Sequence, residues 1–357
     1  MMTARAQTPT KAAGPDQARA GLPASSGMFD WVMTALSALY LAGLWVDGWA
    51  HYHGRVDGSF FTPWHFLFYS AFAVVAVFLL ATHLRNLGKG YAFTRTLPGG
   101  YWLSMIGVGV FAVGGVGDMI WHTLFGIEAG TEALMSPSHI LLGIGMALIF
   151  TGPLRSAWFR FRSQHVPALG WRALGPAMVA ATLFTTLLLF FTAYANPMIT
   201  PYVAMTGLRR DLMQDFGVTS ILFTAGVYAA MTALLTWRWR VPFGTFTLLF
   251  GVSTALFTVL NDAFALIVPA VVTGAILDLL MLRLRPSPQR VRQFIFAAAA
   301  SPALYFAGYF VVFATIMPVR WSIHVWTGAI FLAGVIGGLI AVLISASASE
   351  SRSASET

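Results

Sequence analysis

The chain has 357 residues, of which 57% are apolar and only 10% charged, and its net charge is +8. Soluble domains carry about 25% charged residues, so these figures exclude a soluble globular enzyme, a disordered chain and a nucleic-acid reader. They point to a multi-spanning membrane protein. With no cysteine in the sequence, disulfides, thiolate metal sites and cysteine nucleophiles are excluded as well.

In chain order, residues 1–27 are rich in Ala, Pro, Ser, Thr and Gly and lack the apolar core of a cleavable signal, so they read as a disordered tail. Ten apolar stretches of about 20 residues follow. They cover 28–49, 62–84, 100–123, 137–155, 173–195, 217–237, 242–261, 264–283, 293–317 and 321–346. A tight helical hairpin is expected at Asn261-Asp262, between the seventh and eighth. The Ser/Ala-rich residues 347–357 read as a second tail. The expected fold is all-α: a polytopic bundle of about ten transmembrane helices in residues 28–346, built from repeated helical hairpins.

Lys and Arg set the orientation. Arg5, Lys11, Arg19, Arg85, Lys89, Arg95, Arg155, Arg160, Arg162, Arg172, Arg238, Arg240, Arg283, Arg285, Arg290, Arg292 and Arg352 fall on one side, 17 of 21. Arg55, Arg209, Arg210 and Arg320 fall on the other. Both termini are therefore expected in the cytoplasm, with a bacterial inner membrane as the location. The basic charge then serves topology and calls for no nucleic acid. The partner it implies is a lipid bilayer, with partner subunits left open.

The external side carries six of the eight histidines: His51, His53, His65, His122, His139 and His324. His83 and His165 lie on the cytoplasmic side and read as interfacial residues. Two segments align, DGWAHYHGRVDGSFFTPWH at 47–65 and DMIWHTLFGIEAGTEALMSPSH at 118–139. Each has Asp, then His four residues on, then a loop that closes with Thr/Ser-Pro-x-His at the next helix. Later hairpins read as decayed copies, with His324 and Ser220 near the matching places.

Asp and His four apart share a helix face. Asp47 and His51 therefore point one way, as do Asp118 and His122. A proline two residues before His65 and before His139 suits a helix start, so each second histidine sits in the first turn of the partner helix. Two Asp/His/His sets result: Asp47, His51 and His65, and Asp118, His122 and His139. Such a set suits copper, with iron or zinc as alternatives. A structural hydrogen bond, a proton relay or a polar pore mouth would use the same residue types. The sets can stand apart as mononuclear sites or share one dinuclear site. Glu128 and Glu132, four apart, are candidate outer partners on a short helix, and Asp57 holds the comparable place in the first unit. His53 is out of phase with His51. Asp278, deep in the eighth span, is expected to meet an arginine from the span's end or to be functional.

At these residues the chain resembles the C subunit of the particulate methane and ammonia monooxygenases, the copper membrane monooxygenases. That subunit carries Asp, then Trp-His, an acidic loop residue, and Phe-Thr-Pro-Ser-His. Here Asp47, His51, Asp57 and Phe61-Thr62-Pro63-Trp64-His65 match part of the pattern. Asp118, Trp121-His122 and Ser136-Pro137-Ser138-His139 match another part. The resemblance covers about 40 residues in two blocks, by count of the two segments. Ala50 and Trp64 differ from it, the second loop is longer, and the chain has more spans. It implies copper held by Asp47, His51 and His65 and by Asp118, His122 and His139. The function it implies is a membrane oxygenase or oxygenase-like subunit for a small apolar substrate. The alternative on the residues alone is a non-enzymatic protein that transports, stores or delivers a metal ion.

Overall fold

The computed structural model describes residues 21–55, 59–128, 130–161, 170–205, 210–316 and 318–356, with backbone only for 210 and 348–356. Arg5, Lys11, Arg19, Asp57, Arg162, His165 and Arg209 lie outside the described residues. Among the described residues the chain is helical, without a strand. The helices are α1 (Gly27–Tyr52), α2 (Pro63–Leu87), α3 (Trp102–Phe125), the short α4 (Thr131–Met135), α5 (Pro137–Phe150), α6 (Gly152–Arg160) and α7 (Trp171–Phe190). They are followed by α8 (Arg210–Arg238), α9 (Thr245–Asn261), α10 (Ile267–Leu284), α11 (Val291–Ile316) and α12 (Ile323–Glu356).

Nine helical segments among the described residues are long and apolar enough to cross a membrane, with α5 and α6 together forming one of them. The all-α polytopic bundle is therefore what the chain forms. The seventh expected span, α9, has 17 residues, slightly short of the roughly 20 needed to cross. Asp262, in the left-handed conformation, ends α9, and a 3-10 turn at Phe264–Leu266 leads into α10, which makes the expected hairpin. The last helix runs on to Glu356, through residues that the sequence reading assigns to a tail. Serine and alanine tolerate a helix well enough for α12 to continue there.

The fourth span is two helices. Pro153 has no N–H to give Ile149, and the chain restarts as α6 after Thr151. The freed carbonyls find other donors. Ser104 Oγ donates to Leu148 O (3.1 Å) and more weakly to Ile149 O, and Arg155 donates to Leu148 O (2.7 Å) while its Nε reaches Gly100 O before α3 (2.8 Å). The break therefore costs little and ties α3 to α5.

Hairpins α1/α2 and α3/α5 place the ends of α1 and α3 beside the starts of α2 and α5. The second hairpin packs very closely. A Cβ on Gly107 would stand 2.7 Å from Gly145 O, and one on Gly145 would stand 2.7 Å from Phe111 Cβ. Two glycines thus let the backbones meet. That approach brings the last turn of α3 opposite the first turn of α5.

Candidate metal centre

The Thr/Ser-Pro-x-His motif has a single local structure in both copies. Thr62 is the N-cap of α2, and its side chain accepts from His65 N at 3.1 Å. Ser136 is the N-cap of α5, and its side chain accepts from His139 N at 3.4 Å. Proline follows each cap, where its missing N–H costs nothing. The histidine is then the third helical residue, its backbone fixed by the cap. The partner Asp and His come from the last turns of α1 and α3, so each hairpin mouth gathers three ligand-type side chains.

The six side chains come together as the spacing predicts. In the first triad Asp47 Oδ1 lies 3.6 Å from His65 Nε2, and Asp47 Oδ2 lies 3.9 Å from His51 Nε2. In the second triad Asp118 Oδ1 lies 3.0 Å from His139 Nε2 and 3.4 Å from His122 Nε2. Within each triad one ligand atom per residue lies within 4.8 Å of the others. The triads abut: the His65 and His122 rings stack at 6.1 Å and 27°. All six side chains line one cavity of about 570 Å³, walled by Leu44, Phe68, Leu142, Met146, Phe190 and Phe191.

Hydrogen bonds from outside the triads settle which ring nitrogens face inward. His65 Nδ1 meets Phe60 O at 2.6 Å, and His122 Nδ1 meets Gly126 O at 3.2 Å. A carbonyl only accepts, so each Nδ1 carries the proton. In the neutral rings that leaves each Nε2 lone pair turned toward its carboxylate. Glu128 Oε2 lies 3.0 Å from the same His122 Nδ1 without a hydrogen bond. On the other carboxylate oxygen of Asp118, Tyr69 donates a hydrogen bond of 2.9 Å.

The inward atoms fit a cation. Asp47 Oδ1, Asp118 Oδ1 and His122 Nε2 are buried and make no hydrogen bond among the described residues. His65 Nε2 and His122 Nε2, 3.6 and 3.4 Å from their carboxylate oxygens, are therefore acceptors that face acceptors. Ligand atoms about 2.0–2.1 Å from one ion stand roughly 2.9 Å apart at right angles and 3.3 Å apart at tetrahedral angles. The second triad matches that spacing and the first is slightly wider. Both Asp/His/His groups can hold a metal ion.

Among the remaining sequence candidates Glu128 reaches the cluster, and the other described ones stand apart from it. His53 ends α1, stacks on Trp49, donates from Nδ1 to Trp49 O (2.9 Å) and lies 3.7 Å from Asp262. His324 is exposed at the start of α12, and Ser220 bonds back to Gly217 O. Glu128 and Glu132 do not share a helix: Glu132 is exposed on α4, while Glu128 precedes it and turns to His122. Among the described residues Asp278 meets no arginine. It accepts from Phe246 N, Thr247 N and Thr247 Oγ1 at 2.7–3.0 Å and so caps α9. His83 is buried against Thr96 Oγ1 at 2.6 Å. Tyr69 is the site residue that the sequence reading passes over. It lies four residues after His65, the same one-turn spacing that marks the Asp–His pairs.

Compared with known proteins, the chain matches no family model, no curated protein and no solved structure.

Proposed function

We propose that this chain is an integral membrane metalloprotein that holds copper in its two Asp/His/His triads, acting as an oxygenase or an oxygenase-like subunit on a small apolar substrate. One observation carries the reading. His122 Nε2 and Asp118 Oδ1, both acceptors by the tautomer argument, face each other at 3.4 Å without a hydrogen bond. A cation between them turns that repulsion into attraction. Two imidazoles with one carboxylate suit copper, and iron or zinc less specifically. The partial match to the C subunit of the copper membrane monooxygenases supports the choice of copper. The apolar walls of the cavity support an apolar substrate.

Bound copper would supply one-electron redox chemistry. The chain's own residues orient the ligands: Phe60 O and Gly126 O fix the rings, and Tyr69 holds Asp118. The basic residues set the orientation by the positive-inside rule, with the triads at the external face of a bacterial inner membrane and both termini inside. A transport reading would need polar groups that continue across the bilayer. Asp278, the acid within the eighth expected span, is consumed as a helix cap, which favours a resident metal.

The test is metal analysis of protein purified in lipid, compared with Asp118→Ala and with His51→Ala combined with His122→Ala. Copper is expected in the parent and lost from the double variant. Its Cu(II) resonance should vanish with ascorbate and return in air. Unchanged metal content in the double variant would remove the ligand assignment. Copper that binds but never changes oxidation state would leave a metal-delivery protein.

A further inference from the structure

The two triads repeat one motif, yet their surroundings differ. Exposure of the side chains is 2%, 3% and 20% for Asp118, His122 and His139, against 12%, 26% and 8% for Asp47, His51 and His65. The ligand atoms of the second triad already stand 3.0 and 3.4 Å apart, and those of the first 3.6 and 3.9 Å. Asp118 is held on its free oxygen by Tyr69. His122 is held on its far nitrogen by Gly126 O, as His65 is by Phe60 O, and only His122 has a carboxylate beside that nitrogen, Glu128 Oε2 at 3.0 Å. Closed, outer-supported sites retain metal, and more open ones keep positions for exchange.

We infer that the triads divide the work: Asp118, His122 and His139 form a resident site that fills first and retains its ion, while Asp47, His51 and His65 form the exchange site. This rests on the metal reading above. His51, the most exposed ligand of the six, is the point at which an ion or a small ligand enters. His65 and His122, stacked at 6.1 Å, put the exchange site against the resident one within the same cavity. Tyr69 and Glu128 are positioning residues for the resident site. They touch its ligands, and their removal lowers its affinity without deleting a ligand.

The experiment titrates metal-free full-length protein in lipid nanodiscs with Cu(II), then dialyses it against buffer. Bound copper is read by mass spectrometry and by electron paramagnetic resonance. At saturation the parent is expected to bind about two copper ions per chain and to retain about one after dialysis. His51→Ala should retain that ion and bind no second. His122→Ala should retain none. Tyr69→Phe and Glu128→Gln, which keep every ligand and the packing, should weaken the retained ion about 10–100-fold and leave the exchangeable one unchanged. Loss of the retained ion in His51→Ala with its survival in His122→Ala would reverse the assignment and overturn the proposal. Equal loss in both variants, or unchanged retention in Tyr69→Phe and Glu128→Gln, would overturn it too. A parent that binds no copper at all would instead remove the metal reading on which the proposal stands.

Discussion

Asp118 and Asp278 are both buried acids in a membrane bundle, and they differ in what their oxygens meet. Asp278 receives two backbone N–H groups and a hydroxyl. It satisfies donors at the start of α9 that would otherwise be orphaned. Asp118 receives Tyr69 on one oxygen and turns the other, without a hydrogen bond, toward two imidazoles. The first pattern is structural, and the second leaves room for an ion. Asp278→Ala should therefore lower stability by about 1–3 kcal/mol, the cost of unpaired buried donors, with copper per folded chain unchanged. Asp118→Ala should do the opposite: copper falls sharply while the melting temperature of the metal-free protein holds or rises, because the opposed acceptors are gone. Thermal unfolding in detergent beside metal analysis checks both. A loss of copper in Asp278→Ala would mean that its role reaches the site.

At the scale of the helix, much of this molecule is legible in the sequence because a bilayer permits few solutions. Each span must satisfy its own backbone, so apolar length alone marks the helices. The Asp–His spacing and the Pro-x-His ending fix which side chains share a mouth, and those residues do converge. What escaped is what depends on neighbours. The break after Phe150 is readable at Pro153, but its rescue by Ser104 and Arg155 needs the packing of α3 on α5. The role of Asp278 needed the register of α10 against α9. Tyr69 required knowing that α2 turns its His65 face toward α3. The close approach of α3 and α5 at Gly107 and Gly145 is itself testable. Gly145→Val places atoms where Phe111 stands and should push the helices apart. Retained copper should drop at least tenfold, while the copper that depends on His51 survives. Equal retention in Gly145→Val and the parent would show that the second triad does not depend on this contact.

At the scale of the whole bundle, the first triad draws Asp47 and His51 from one end of α1, and a second polar group ties its other end. Asp30 is fully buried and lies 2.5 Å from Arg160, with Tyr101 donating to its other carboxylate oxygen at 2.7 Å. This joins α1, α6 and the residue before α3. Burial and the neighbouring Asp30 carboxylate push the Tyr101 hydroxyl well above its usual pKa, so the phenol stays a donor across the working range. Asp30 and Asp47 are 17 residues apart on α1, about 25 Å at 1.5 Å per residue, so the tie acts on the fold and not on the cavity. Removing one partner leaves a buried charge unpaired, which costs about 3–5 kcal/mol, whereas removing both costs less. Arg160→Gln should therefore lower the thermal stability clearly, and Asp30→Asn combined with Arg160→Gln should recover part of the loss. Copper per folded chain should match the parent in both. A double variant no more stable than Arg160→Gln alone would mean that the unpaired Asp30 carboxylate is not what destabilises the single one. Copper lost in step with stability would mean that the two ends of α1 are coupled through the helix, and the metal site would then depend on the whole bundle rather than on its two hairpin mouths.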